Sequence, residues 1–122
     1  MSKRILVVED QADNRKIIRD MLRGTDYEII EAENGEDALA AIGKQRPDLI
    51  LMDVQLPIMD GYTATRCIKA DPSLRSIPII AVTAYALSGE DEKARAAGCD
   101  DYLPKPYSPR HLLAKIRQYM PQ

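Results

Sequence analysis

At 122 residues the chain is long enough to build one hydrophobic core without disulfides or structural metals. Hydrophobic residues make up 45% and charged residues 30%, an ordinary globular balance that argues against disorder. The formal charge of −2 comes from interspersed acids and bases, so neither nucleic acid nor a membrane surface is offered a basic stripe.

In chain order, "MSKRILVVED" holds one short apolar run, Ile5 to Val8, before Glu9 and Asp10. That run is too short for a signal peptide or a membrane span, and it predicts a buried strand. Ile17, Ile18, Met21 and Leu22 follow at i, i+1, i+4 and i+5, one face of a helix. A weaker strand is predicted from Tyr27 to Glu31. "NGEDALAAIGKQRP" then predicts a helix with Asn34 as its N-cap, Asp37 three residues on and Pro47 at its limit.

Leu49 to Met52 predicts the third strand, and a helix is expected from about Gly61 to Lys69. The fourth strand is Ile79 to Val82, introduced by Pro78. Ser88 and Asp91 form a capping-box pattern for the next helix, and Gly98 is its stop. Tyr102 and Leu103 make a short fifth strand. Ser108 caps the last helix with Pro109 in its first turn, and Leu112, Leu113, Ile116 and Met120 form its core face.

Five strands thus alternate with five helices. Strands that are apolar throughout, rather than at every second residue, have both faces covered. With right-handed crossovers this is an α/β fold, a doubly wound parallel sheet, and one domain over residues 1–122 is expected. Cys67 and Cys99 form no CxxC pair and are expected to be small buried thiols in a reducing cytoplasm. His111 is the single histidine, which gives zinc sites and Ser/His or Cys/His catalysis little to build on.

Ligands of open α/β sheets bind outside the carboxyl ends of the strands. Glu9 and Asp10 follow the first strand, Asp53 the third, Thr83 the fourth and Lys105 the fifth. Taken singly, each has a plain explanation. Glu9 or Asp10 could cap the first helix, Asp53 could end its strand, Thr83 could be a turn residue and Lys105 a solvated lysine. Their joint placement favours a site. Three carboxylates against one ammonium leave two negative charges, which one divalent cation neutralises. Oxygen donors without Cys or His suit magnesium rather than zinc.

Four stretches, "ILVVED" (5–10), "LILMDVQLPIMDG" (49–61), "IIAVTA" (79–84) and "YLPKP" (102–106), in this order and spacing, resemble the receiver domain of two-component response regulators. The resemblance spans the chain and implies a flavodoxin-like (βα)5 sandwich with strand order 2-1-3-4-5. It implies that Asp53 takes a phosphoryl group from a phosphohistidine on a sensor histidine kinase or a histidine phosphotransfer protein. Asp10 and Asp53 would bind magnesium directly, with the backbone carbonyl of Gln55 a further ligand and Glu9 holding metal-bound water. Lys105, Thr83 and Ala84 would contact the phosphoryl group. Thr83 and Tyr102 would form the switch, although Tyr102 alone reads as a half-buried strand aromatic.

The resemblance further implies a cis bond before Pro106, and a downstream protein target on the face made by helix 4, strand 5 and helix 5. Gln55 and Tyr85 would flank the line of water attack and set the lifetime of the phosphorylated form. A stand-alone, cytoplasmic switch is the expectation, with protein partners and neither nucleic acid nor membrane. Two other aspartate- or phosphate-handling classes fit less well. A phosphatase of the haloacid-dehalogenase type expects a second acid two residues after its nucleophile, where this chain has Gln55. A flavodoxin-like flavin carrier expects Gly, Ser and Thr after the first strand, where this chain reads "EDQAD".

Overall fold

The computed structural model describes residues 3–54, 56, 59–83, 90–105 and 107–120. Among them, ten elements alternate without exception: β1 (Arg4–Val8), α1 (Ala12–Met21), β2 (Glu28–Ala32), α2 (Gly35–Lys44), β3 (Leu49–Asp53), α3 (Gly61–Ala70), β4 (Ile79–Thr83), α4 (Glu90–Ala97), β5 (Asp101–Pro104) and α5 (Pro109–Tyr119). The strands form one parallel sheet in the order β2-β1-β3-β4-β5. The chain therefore winds outward in one direction from β1, then crosses back over to β3 and winds the other way. The crevice at that reversal lies between the ends of β1 and β3.

Strand pleating sorts the apolar residues onto two layers. Leu6, Val8, Ile50, Met52, Ile79 and Ala81 face α2, α3 and α4, where Ala38, Ile42, Ala64, Ile68 and Ala94 meet them. Ile5, Val7, Leu49, Leu51, Ile80, Val82 and Leu103 face α1 and α5, against Ile18, Leu22, Leu112 and Ile116. All five residues of β3 and of β4 are buried. Each large apolar side chain so enclosed contributes about 1.5–3 kcal/mol, which makes the two central strands the rigid axis of the molecule.

Helix starts follow local chemistry. Asn34 Oδ1 accepts the Asp37 amide at 2.8 Å, and Ser108 Oγ accepts the His111 amide at 3.1 Å, with Pro109 opening α5. Asp60 caps α3 in the same way, accepting the Thr63 amide at 2.9 Å. Gly98 ends α4 with φ +106°, a left-handed conformation that suits glycine. Ser88, expected to open the capping box of α4, lies outside the described residues.

Two sequence expectations are corrected. Ile17 does not join the core face of α1: it is 49% exposed, while Ile18 and Leu22 are buried. On a 3.6-residue period the two isoleucines stand 100° apart, and the sheet admits only one of them. Cys67 is exposed, and only Cys99 is a buried thiol. The buried stripe of α3 runs Gly61, Ala64, Thr65, Ile68, a spacing that turns Cys67 outward. No helix among the described residues is long and apolar enough to cross a membrane.

Candidate functional site

The carboxyl ends of β1, β3, β4 and β5 converge because the sheet ladder continues past the strands. The Glu9 amide bonds to the Ala32 carbonyl at 3.0 Å, and the Val54 amide to the Val82 carbonyl at 3.2 Å. The Lys105 amide reaches the Thr83 carbonyl at 2.7 Å. Of the five residues expected from sequence to share this edge, these backbone hydrogen bonds anchor Glu9, Thr83 and Lys105 directly and Asp53 through its neighbour Val54. Asp53 and Thr83 are buried, as is Glu9, while Asp10 is exposed.

Carboxylate oxygens of Glu9, Asp10 and Asp53 lie within 4.8 Å of one another. The Lys105 ammonium reaches two of the three acids, Glu9 Oε1 at 3.0 Å and Asp53 Oδ2 at 3.4 Å. Neither Glu9 nor Asp10 caps α1. The N-cap is Gln11, without a side-chain hydrogen bond, and Glu9 Oε2 instead accepts the Gln11 amide at 3.2 Å. Glu9 is thus held from two sides, by Lys105 and by its own loop.

The electrostatics record the crowding. The hydrogen bond with Glu9, some burial and the Glu9 charge together raise the carboxyl of Asp10 above its ordinary value. Burial opposes the charge on Lys105, but its hydrogen bond to Glu9 and the Asp53 charge outweigh that and hold the ammonium above the usual lysine value. Three acids offset by one cation make a place for a further cation.

The donor set fits magnesium. All three groups offer oxygen, and ligands opposite each other on an octahedral magnesium ion stand about 4 Å apart. The observed spread therefore closes onto one ion with small side-chain movements. Cys99 and His111 are not among the clustered residues.

Tyr102 is half-buried on β5, in register with Ala81 of β4, and packs on the layer beneath α2, α3 and α4. Gln55, Ala84, Tyr85 and Pro106 lie outside the described residues. Two residues at the site went unnamed in the sequence reading. Tyr107 and Asn14 line a hollow of about 200 Å³ together with Glu9, Ile17, Met21 and Lys105. The exposed Ile17 forms part of its wall. Burial pushes the Tyr107 phenol up from its ordinary value. Its position two after Lys105 was the one available signal.

Comparison with known proteins places this geometry. The family described as response regulator receiver domain matches residues 5–117. The chain is 43% identical over 120 residues to the polar-differentiation response regulator DivK of Brucella anthropi, covering 98% of each chain. It superposes with a TM-score of 0.91 on the receiver domain of a sensor histidine kinase from Pseudomonas aeruginosa PAO1, at 40% identity and full coverage of both chains. That structure holds a magnesium ion coordinated in its active site cleft. The chemotaxis response regulator CheY4 of Vibrio cholerae gives the same TM-score at 27% identity, over 98% of this chain and 100% of that one.

Proposed function

Since the chain belongs to the response regulator receiver domain family and is a phosphorelay receiver, we propose that Asp53 is its phosphoacceptor. The observation that carries this is the meeting of Glu9, Asp10 and Asp53 under the Lys105 ammonium at the sheet edge. An oxygen of Asp53 attacks the phosphorus of a phosphohistidine. The P–O bond forms as the P–N bond breaks, and the bonding pair returns to the departing imidazole. A carboxylate approaching an anionic donor is slow unless its charge and that of the phosphoryl oxygens are offset.

Lys105 offsets one phosphoryl oxygen as a point charge, moving from its contact with Asp53. The Thr83 hydroxyl, buried at the end of β4, donates to a second, and Ala84 would contact the same group. Glu9, Asp10 and Asp53 would hold magnesium, with the Gln55 carbonyl completing the set. Bound there, the ion would neutralise charge developing on the transferred group.

The product is an acyl phosphate, which biases a two-state element rather than turning over a small molecule. Thr83 drawn toward the phosphoryl group would vacate space for Tyr102, altering the face formed by α4, β5 and α5. That face is the surface we assign to a downstream protein partner, and a histidine kinase or phosphotransfer protein is the donor. Gln55 and Tyr85 would set the lifetime of the phosphorylated form, and the Lys105–Pro106 bond would be cis as in the family. Free thiols at Cys67 and Cys99 suit a cytoplasmic setting.

The test is phosphotransfer from phosphorylated histidine kinases or phosphotransfer proteins, followed by reductive trapping of the acyl phosphate and peptide mapping. The expected product is a single modified peptide carrying Asp53, lost in Asp53→Asn. Modification at another residue would contradict the assignment.

A further inference from the structure

Behind the acidic edge stands a second charged cluster that phosphoryl transfer does not use. Arg15 of α1 is largely buried, its side chain 13% exposed. Its guanidinium faces three acceptors on two segments, the end of β1 and the end of β2. Nη1 donates to the backbone carbonyl of Glu9 at 2.8 Å. Nε donates to Glu31 Oε1 at 3.1 Å, and Nη2 lies 3.5 Å from Glu33 Oε1. Arg19, one turn along α1, donates to the other oxygen of Glu31 at 2.6 Å.

The Glu9 carbonyl belongs to the planar peptide that joins Glu9 to Asp10, so fixing that oxygen fixes the plane from which Asp10 departs. The Glu9 amide is already fixed by the Ala32 carbonyl at 3.0 Å. Both peptide groups that flank the Glu9 α-carbon are therefore anchored. Asp10 is the exposed member of the acid trio, so its backbone, rather than packing, sets where its carboxylate points.

A lone guanidinium this close would repel a divalent cation. Glu31 and Glu33 offset the charges of Arg15 and Arg19, which leaves the cluster without net charge. A lysine has one compact ammonium and cannot match three acceptors with the same planar geometry.

We propose that Arg15 is a positioning residue for the metal site, locking the Glu9–Asp10 peptide so that the carboxylates of Glu9 and Asp10 converge on Asp53. The proposal rests on the reading of those three acids as the magnesium site. Arg15 touches neither metal nor phosphoryl group, and acts through the backbone.

The experiment is a magnesium titration followed by backbone amide NMR shifts, on the parent, Arg15→Met and Arg15→Lys. The spectra also report that each protein is folded. Supporting groups behind metal ligands commonly change affinity by about tenfold or more. Arg15→Met is expected to bind roughly tenfold more weakly, and Arg15→Lys roughly threefold, since one ammonium can hold the carbonyl but not the whole cluster. A merely structural arginine would lower the unfolding midpoint and leave the affinity of the folded protein unchanged. Parent-like affinity in the folded variants overturns the inference, and if Arg15→Met does not fold, Arg15→Lys decides it. A parent that binds no magnesium overturns the site reading as well. Tight parent binding with unaltered variants overturns the inference alone.

Discussion

Gly61 at the start of α3 lies so close to the backbone carbonyl of Asp53 that an alanine methyl would overlap it and stand 2.7 Å from the Val54 α-carbon. The Gly61 amide also donates to the Val54 carbonyl at 3.3 Å. The first turn of α3 therefore buttresses the tip of β3 from behind, and Asp53 is fixed by a helix as well as by its own strand.

Gly61→Ala should destabilise the fold by about 1–3 kcal/mol, the usual cost of overpacking against an unyielding neighbour, and should also slow phosphorylation. Gly43 is the internal control, because a methyl there meets nothing within 4 Å in the last turn of α2. Gly43→Ala should stabilise by about 0.5–1 kcal/mol. Urea denaturation of both variants checks the contrast. Equal effects would contradict the buttress.

Lys105 holds two of the acids, so its removal has opposed consequences. Lys105→Met leaves the carboxylates with more negative charge. Magnesium should then bind roughly thirtyfold more tightly, since even at bulk-water dielectric a unit charge some 4 Å from a divalent ion is worth roughly 2 kcal/mol. Phosphorylation should nonetheless slow, because the ammonium that meets the incoming phosphoryl oxygen is gone. Calorimetry and phosphotransfer rates measure the two arms. Weaker magnesium binding in the variant would mean that Lys105 organises the acids rather than competing for them.

Much of this site was legible in the sequence because its residues follow apolar runs. Ile5 to Val8, Leu49 to Met52 and Ile79 to Val82 announce strands, and the residue after each must stand at the sheet edge. What the sequence could not show are contacts between segments that periodicity does not link. Glu31 and Glu33 share the two-residue spacing of a strand face, but no spacing rule connects them to Arg15 or to the Glu9 carbonyl. The close approach of Gly61 to Asp53 depends on how the intervening loop returns. Ile17 was misplaced for a related reason. Two adjacent isoleucines both satisfy a helical stripe, and only the packed sheet selects Ile18. Residue type alone puts Cys67 inside, whereas the buried stripe of Ala64, Thr65 and Ile68 turns it outward.

The switch makes a separable prediction. Thr83→Ala should still accept phosphate yet fail to move the α4–β5–α5 face, because the hydroxyl that would follow the phosphoryl group is absent. Amide shifts on α4, β5 and α5, with and without a phosphoryl mimic, check this. A full shift in Thr83→Ala would exclude the hydroxyl as relay.

The far end of β5 carries a titratable latch. Tyr119 donates its hydroxyl to Asp101 Oδ2 at 3.0 Å, and Lys115 bonds to Asp101 Oδ1 at 2.8 Å. Burial, the Asp101 hydrogen bond and the charges of Asp101 and Asp100 push the Tyr119 phenol up to about 12 from its ordinary 10.0. Between those values the folded protein keeps a proton that the unfolded chain has lost. The stability from this latch is thus fully present below pH 10 and falls as the pH rises toward 12. Ultraviolet titration of tyrosinate should lose one late-titrating equivalent in Tyr119→Phe. An unchanged alkaline limb would show that the latch does not form in solution.

Central to the proposed switch is that the acids at the sheet edge together form a magnesium-dependent phosphoacceptor centred on Asp53. Intact-mass spectrometry after incubation with a small acyl phosphate tests it without any partner protein. The parent with magnesium should gain a single phosphoryl group, and the adduct should disappear with excess chelator and in Asp53→Asn. An undiminished adduct under either condition would contradict the assignment.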